Sequence, residues 1–259
     1  NYNLGIYDAV HKMRPDKPIF ASECCATGTT RDWNFDTAVF GRIRDKDRDT
    51  NDWFLGREKT YKFLRERPYV FGCYQWAAVE HRGEAAWPRV CSCSGALDLF
   101  LQKKGAFYQN KSHWTKDPMA HIVPHWNFKG LEGREIPVTV YTNCEELELF
   151  LNGKPLGKRQ IEKYGHGEWS VEYIPGTLEV KGYIGGKEVC CDKRVTTGRP
   201  AALKLTQDND FAANGSDIAL FTCECVDENG LTVPDAAEYV RFSVSAPAKI
   251  IGTGSDNCD

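Results

Sequence analysis

No stretch of the 259 residues approaches the roughly 18 consecutive apolar positions that a membrane-spanning helix requires. Charge of one sign is lacking as well. The 33 basic and 36 acidic residues are scattered and leave a formal charge of -3, so the footprint of a nucleic-acid or acidic-membrane partner is missing and the expected partner is neutral. The opening Asn1-Tyr2-Asn3-Leu4 has no basic segment followed by an apolar core, and a chain that starts on Asn without Met reads as a fragment. Cysteine, in contrast, is plentiful. The 11 residues are odd in number and include the adjacent pairs Cys24-Cys25 and Cys190-Cys191, which suit a bridge poorly. They read as reduced thiols, which favours a cytoplasmic setting, although secretion into an anoxic environment would also leave thiols free. Cys91-Ser92-Cys93 is too tightly spaced for a zinc site and has no second pair nearby, so these residues read as small buried hydrophobes and no metal or cofactor is expected.

The 41% hydrophobic content supports two or three folded domains. To about residue 116 the pattern is strand, helix, strand, helix. Ile19 to Ser22 follows a Pro turn, and Tyr69 to Trp76 is rich in β-formers. Between them Trp53, Leu55, Tyr61, Phe63 and Leu64 are interleaved with charged residues, a helical mix that stops before Pro68. A further helix is expected near 103–113. This is β/α order, the pattern of a parallel sheet with covering helices. From about 118 short alternating strands take over: Pro137 to Tyr141, Leu147 to Leu151 with the hairpin signal Asn152-Gly153, and Trp169 to Tyr173. Their spacing suggests a β-sandwich. Another begins near Pro200, with strands at 218–226 and 239–244 around the turn Asp227-Glu228-Asn229-Gly230, and only about 60 of the roughly 100 residues of an immunoglobulin-like sandwich remain for it. The boundaries are therefore 1–116, 117–198 and 199–259.

Glu23, directly after the strand Ile19 to Ser22, would sit at the carboxy-terminal mouth of a β/α barrel, where such barrels keep catalytic groups. Trp76 ends the next strand, and its indole offers a flat apolar face for a sugar ring. Glu80, His81, Arg82, Gly83 and Glu84 follow on the loop, a polar cluster suited to hydroxyl groups. Singly these are weak signals, since a carboxylate at a strand end is more often a loop cap or a surface group. His121 and His125 are four apart, but Pro124 argues against the helix that would make them joint metal ligands. Trp126 and Trp169 read as sandwich core. Gly252-Thr253-Gly254-Ser255 lacks the strand, Lys and helix of a phosphate loop and reads as a turn.

Lys17-Pro18-Ile19-Phe20-Ala21-Ser22-Glu23 resembles the nucleophile segment of glycoside hydrolase family 2, and Gly72 to Trp76 followed by Gly83-Glu84 resembles that family's last barrel strand. Ser94 to Asp98, Pro124 to Asn127, Val140 to Asn143 and Glu148 to Gly153 resemble later family segments, in family order across nearly the whole chain. The resemblance implies the carboxy-terminal part of a (β/α)8 barrel, then one complete and one truncated immunoglobulin-like sandwich. It implies a retaining exo-glycosidase, a β-galactosidase, acting on a terminal β-galactoside. Glu23 would be the nucleophile, Tyr2 would donate a hydrogen bond to it, Trp76 would wall the sugar subsite, and Glu80, His81 and Glu84 would bind substrate. The family's acid/base lies in an Asn-Glu upstream of the nucleophile. No such dipeptide precedes Glu23, so the fragment is expected to be inactive alone. Two departures bear on the sugar. Glu80-His81-Arg82 stands where many members have Asp-Tyr, and Gln102-Lys103-Lys104-Gly105 nearly reproduces the carboxylate-binding Asn-Lys-Lys-Gly of β-glucuronidases, with Gln in the Asn position. β-Glucuronidase is the alternative within the family, and a non-catalytic carbohydrate-binding or scaffold module is the alternative of another class. A homo-oligomer of the full-length enzyme is compatible with all of these.

Overall fold

Alternation of apolar and polar residues along 135–195 calls for antiparallel strands with one buried face, and this stretch forms the main body of the protein. The computed structural model describes residues 3–26, 28, 29, 31, 56–84 and 91–255. Strands β3 (Ala120–Val123), β4 (Glu135–Thr142) and β7 (His166–Glu172) form one sheet in the order β3-β4-β7. Strands β5 (Glu146–Leu151), β6 (Lys154–Gln160), β8 (Thr177–Ile184) and β9 (Lys187–Val195) form another in the order β6-β5-β8-β9. Every pairing in both is antiparallel. Val138, Val140 and Val171 from the first sheet meet Leu147, Leu149, Leu178 and Val180 from the second in a single core, closed by Trp126 and Tyr173. Each such aliphatic side chain contributes roughly 1.5–3 kcal/mol by leaving water. Trp126 and Trp169 belong to this core as expected, and Trp126 Nε1 donates to the Ile174 carbonyl at 3.1 Å. At Asn152 and Gly153 both φ angles are positive, the conformation of the expected β5–β6 hairpin turn. Edge strand β9 also holds the other sheet: Asp192 accepts from the Ile122 amide at 2.8 Å, and Arg194 donates to the Ile122 carbonyl at 2.7 Å.

The amino-terminal part contains the expected β/α units. Strands β1 (Ile19–Cys24) and β2 (Val70–Gln75) pair in parallel. Helices α1 (Gly5–Met13) and α2 (Arg57–Arg65) supply Tyr7 and Leu64, and Leu4 just before α1 joins them, to cover Ala21, Ile19, Val70 and Cys73 on one face. On the other face Phe20 stacks on Phe71 and meets Tyr74 edge-on, and all three are exposed. Helix α3 (Gly105–Trp114) is the helix expected near 103–113. Trp53 and Leu55 lie outside the described residues.

Three boundaries differ from the sequence reading, one of them the strand expected over 218–226, which begins at Phe221. Strand β1 runs on through Cys24, because the Trp76 amide donates to the Cys24 carbonyl at 2.7 Å and extends the ladder past Ser22. Glu23 thus lies within the strand and not after it. In the last part β10 (Ala202–Gln207) pairs antiparallel with β11 (Phe221–Val226). Among the described residues no strand forms over 239–244, since no neighbouring backbone takes up its hydrogen bonds. The Asp227 to Gly230 turn forms as read: Asp227 accepts from the Asn229 and Leu231 amides at 2.9 and 3.0 Å.

Candidate active site

A parallel pair delivers the ends of both its strands to one edge. Trp76 continues β2 directly beside Cys24, so Glu23 and Trp76 lie at the same carboxy-terminal edge. Glu23 is half-buried, and among the described residues no hydrogen bond or ion pair engages its carboxylate. The Trp76 indole meets the His81 ring edge-on, centroids 5.4 Å apart, and His81 Nε2 lies 3.6 Å from a Glu84 carboxylate oxygen. Trp76, His81 and Glu84 therefore form one rim. Its floor is the segment 92–97: Ala77 donates to the Ser94 carbonyl at 3.1 Å, Glu80 to Leu97 at 2.9 Å, and Ser92 to His81 at 3.0 Å. Gly95 permits this close approach, because a Cβ there would collide with the Glu80 backbone nitrogen and the Leu97 carbonyl. Tyr2 lies outside the described residues.

Glu80 is placed differently from its neighbours on the loop. It is 3% exposed and turned inward to an ion pair with Lys104, itself 2% exposed, whose ammonium also donates to the Cys93 carbonyl at 2.9 Å. Burial pushes the Glu80 carboxyl up from its ordinary value, and Lys104 opposes that shift. The side chain that the sequence suggests for sugar contact holds the rim loop to the start of α3.

Several supports escaped the sequence reading. Arg57 is fully buried at the start of α2. The Gln75 amide, its oxygen toward Arg57, accepts from Nη2 at 2.8 Å and donates to Asn110 at 3.2 Å, and Tyr61 donates to the same Asn110 oxygen at 3.2 Å. This polar chain ties β2 to α2 and α3 immediately before Trp76. Asp98 accepts from the Phe100 and Gln102 amides at 2.9 and 2.7 Å and faces Arg31 at 3.2 Å. Behind β1, Cys24 and Cys25 place their sulfurs 3.5 Å apart; Cys25 and Cys73 push the Cys24 thiol up, and Cys24 draws Cys73 down. No spacing rule brings Glu80 to Lys104 or Arg57 to Gln75, since each contact spans a helix or a loop.

His121 and His125 are structural. His121 stacks on Tyr108 and contacts Arg194, whereas His125 accepts from the Asn127 amide at 3.1 Å and stacks on Phe128. Among the described residues no group of His, Cys, Asp or Glu could hold a metal ion, and no helix is long and apolar enough to cross a membrane.

Comparison with known proteins accords with this arrangement. Residues 203–259 match the model of the glycoside hydrolase family 2 C-terminal domain 5, and residues 133–190 match that of a domain of unknown function, DUF4982. The chain is 35% identical over 211 residues to the β-galactosidase BoGH2A of Bacteroides ovatus, a match covering 79% of this chain and 25% of that protein. It is 30% identical over 259 residues to a β-glucuronidase of Formosa agariphila, covering 90% of this chain and 25% of that protein. A crystal structure of a β-glycosidase from Bacteroides vulgatus superimposes with a TM-score of 0.76 at 26% identity, over 88% of this chain and 34% of that one. The chain thus spans about a quarter of the length of these curated relatives. With the nucleophile-like segment, the Trp76 rim and the sandwich segments in the order that the sequence suggested, the chain belongs to glycoside hydrolase family 2.

Proposed function

We propose that the full-length protein carrying this chain is a retaining exo-β-glycosidase, a β-galactosidase, with Glu23 as its nucleophile. The observation that carries the reading is the Trp76–Cys24 backbone bond, which sets the half-buried Glu23 and the Trp76 indole at one strand edge. In this reading 1–116 is the end of a (β/α)8 barrel, 117–198 a sandwich and 199–259 the start of a second, immunoglobulin-like one. Glu23 attacks the anomeric carbon, and a second carboxylic acid elsewhere in the full-length protein protonates the leaving oxygen. That acid lies about 5–5.5 Å from the nucleophile and then activates the water that releases the sugar. Trp76 stacks on the sugar, and His81 with Glu84 bonds its hydroxyl groups.

A β-glucuronide is the second reading, favoured by the relative that aligns over 90% of this chain. It needs a cation free to meet the sugar carboxylate. Lys104 is buried on Glu80, which supports the galactoside, whereas Lys103 is exposed over the Phe107 ring at 5.1 Å and is the cation a glucuronide would use. Full-length enzyme assayed with nitrophenyl β-galactoside and β-glucuronide decides between them: higher kcat/KM on the galactoside is expected, and a preference for the glucuronide overturns that assignment. Glu23→Gln should lower turnover by several orders of magnitude, since loss of a covalent nucleophile removes the pathway. A 2-deoxy-2-fluoro galactosyl fluoride should label the peptide containing Glu23. Label on another residue, or near-normal turnover of the variant, refutes the mechanism; sugar binding without turnover by the wild type favours a non-catalytic module.

A further inference from the structure

We infer that Cys144 and Cys190 form a thiol–disulfide exchange site in which the two thiols close to a disulfide when a low-molecular-weight disulfide reaches them. Their sulfurs lie 3.5 Å apart although the residues are 46 positions apart in sequence. Cys144 occupies the corner where β4 leaves one sheet and β5 enters the other, and Cys190 is on edge strand β9. The pocket for the two sulfurs is built by a glycine. Gly182 of β8 sits opposite Cys190 in the ladder, and a Cβ there would come within 2.7 Å of both sulfur atoms. Any other residue at 182 would separate the thiols or displace the strand.

The two thiols are unequal in a way that orders the chemistry. Cys190 is half-buried on an edge strand, whereas Cys144 is 4% exposed. The contact between the two sulfurs draws the Cys144 thiol below its ordinary value, with help from Thr142, and pushes the Cys190 thiol up, so the negative charge rests on Cys144 and the proton on Cys190. In the first step the Cys190 thiol passes its proton to the neighbouring Cys144 thiolate as its sulfur attacks one sulfur of the small disulfide, whose S–S bond breaks and releases one small thiolate that takes the proton on. Cys190 then carries a mixed disulfide. In the second step the Cys144 thiolate attacks the Cys190 sulfur, the mixed bond breaks and the second small thiolate leaves. Two protein thiols are oxidised, the small disulfide is reduced to two thiols, and the two protein protons pass to them. The bond would join the β4–β5 corner to β9, the strand whose Asp192 and Arg194 already hold Ile122 of the facing sheet.

The test uses the purified 259-residue protein and oxidised glutathione, with unreacted thiols blocked by N-ethylmaleimide and tryptic digestion without reduction. The expected product is a cross-link between peptide 135–158, which holds Cys144, and peptide 188–193 through Cys190. Dithiothreitol should remove it; Cys190→Ser should abolish it and Cys191→Ser should not. The oxidised wild type should melt several degrees higher than the reduced protein, as a bridge that constrains the unfolded chain requires. Because fragment spectra of the wild-type cross-link locate the bond, the result does not depend on a variant folding. A stable glutathione adduct on Cys190 with Cys144 labelled by maleimide, a bond through Cys191, or no reaction at either thiol overturns the proposal.

Discussion

Removing the charge of Glu80 while keeping its shape should loosen the rim loop far more than its distance from Glu23 suggests. The Glu80 and Lys104 side chains are 0% and 2% exposed, so Glu80→Gln leaves an ammonium group in the interior facing neutral carbonyl oxygens and no counter-charge. Breaking a buried pair in this way costs about 3–5 kcal/mol. Lys104→Met should cost less, because Glu80 can take up a proton and burial already pushes its carboxyl upward. The double variant Glu80→Leu with Lys104→Met should come close to wild type, since well-packed apolar replacements remove the desolvation penalty together with the attraction. Amide hydrogen exchange read on peptides from 77–84 and 91–105 isolates this locality from the sandwich. The expected loss of protection in Glu80→Gln is about two to four orders of magnitude, one decade for each ~1.4 kcal/mol. Protection within about tenfold of wild type would show that the pair does not hold the loop. A double variant as weak as Glu80→Gln would show that shape, and not charge, is at stake.

Further outcomes follow from the same geometry. His166 of β7 bonds Glu58 of α2 at 2.6 Å and joins sandwich to helix. Burial opposes charge on the imidazole, but Glu58 and Glu168 outweigh it and raise its pKa above 6.5. Burial also acts against the Glu58 carboxylate, yet His166 and Lys62 hold it at about 2. The histidine's contribution is complete below pH 6.5 and is lost as pH rises through its raised folded value; the glutamate's is complete above pH 4.5 and is lost as pH falls toward 2. Thermal melts should therefore show the junction strongest between pH 4.5 and 6.5, and His166→Gln should flatten the upper limb; an unchanged profile refutes the assignment. Gly182→Ala should destabilise the sandwich by about 1–3 kcal/mol through overpacking against the two sulfurs, and urea unfolding at wild-type stability would contradict the tight pocket.

The sandwich was legible in the sequence because its signals are local. Val138 and Val140, Leu147 and Leu149, and the Asn152-Gly153 turn declare face and register without knowledge of any partner. Positions near the candidate site were legible for a similar reason: a short apolar run after Pro18 marks β1, and another ending at Trp76 marks β2. Side-chain destinations were not. Glu80 and His81 are adjacent on one loop and look alike on paper, yet one turns into the interior toward Lys104 and the other outward toward Trp76. The choice depends on a lysine 24 residues away. The strand expected at 239–244 failed for the complementary reason, since β-forming side chains set a preference but a partner must supply the ladder.

Asn127 gives the chain a keyed joint. Its amide nitrogen donates to Thr197 Oγ1 at 2.7 Å and to Asp235 at 2.9 Å, while its oxygen accepts from the Thr197 amide at 2.9 Å. One planar group is thereby gripped by the segment leaving the sandwich and by a loop of the unit that follows. A half-turn of that plane would set donor against donor and acceptor against acceptor. The joint fits one way round, so the part beyond residue 200 is indexed to the sandwich by this amide together with the Gly198 amide, which donates to Asp227 at 2.9 Å. Loops between 208 and 220 can lengthen or shorten without altering that angle, whereas replacing Asn127 by Asp would unlock it with no change in side-chain size.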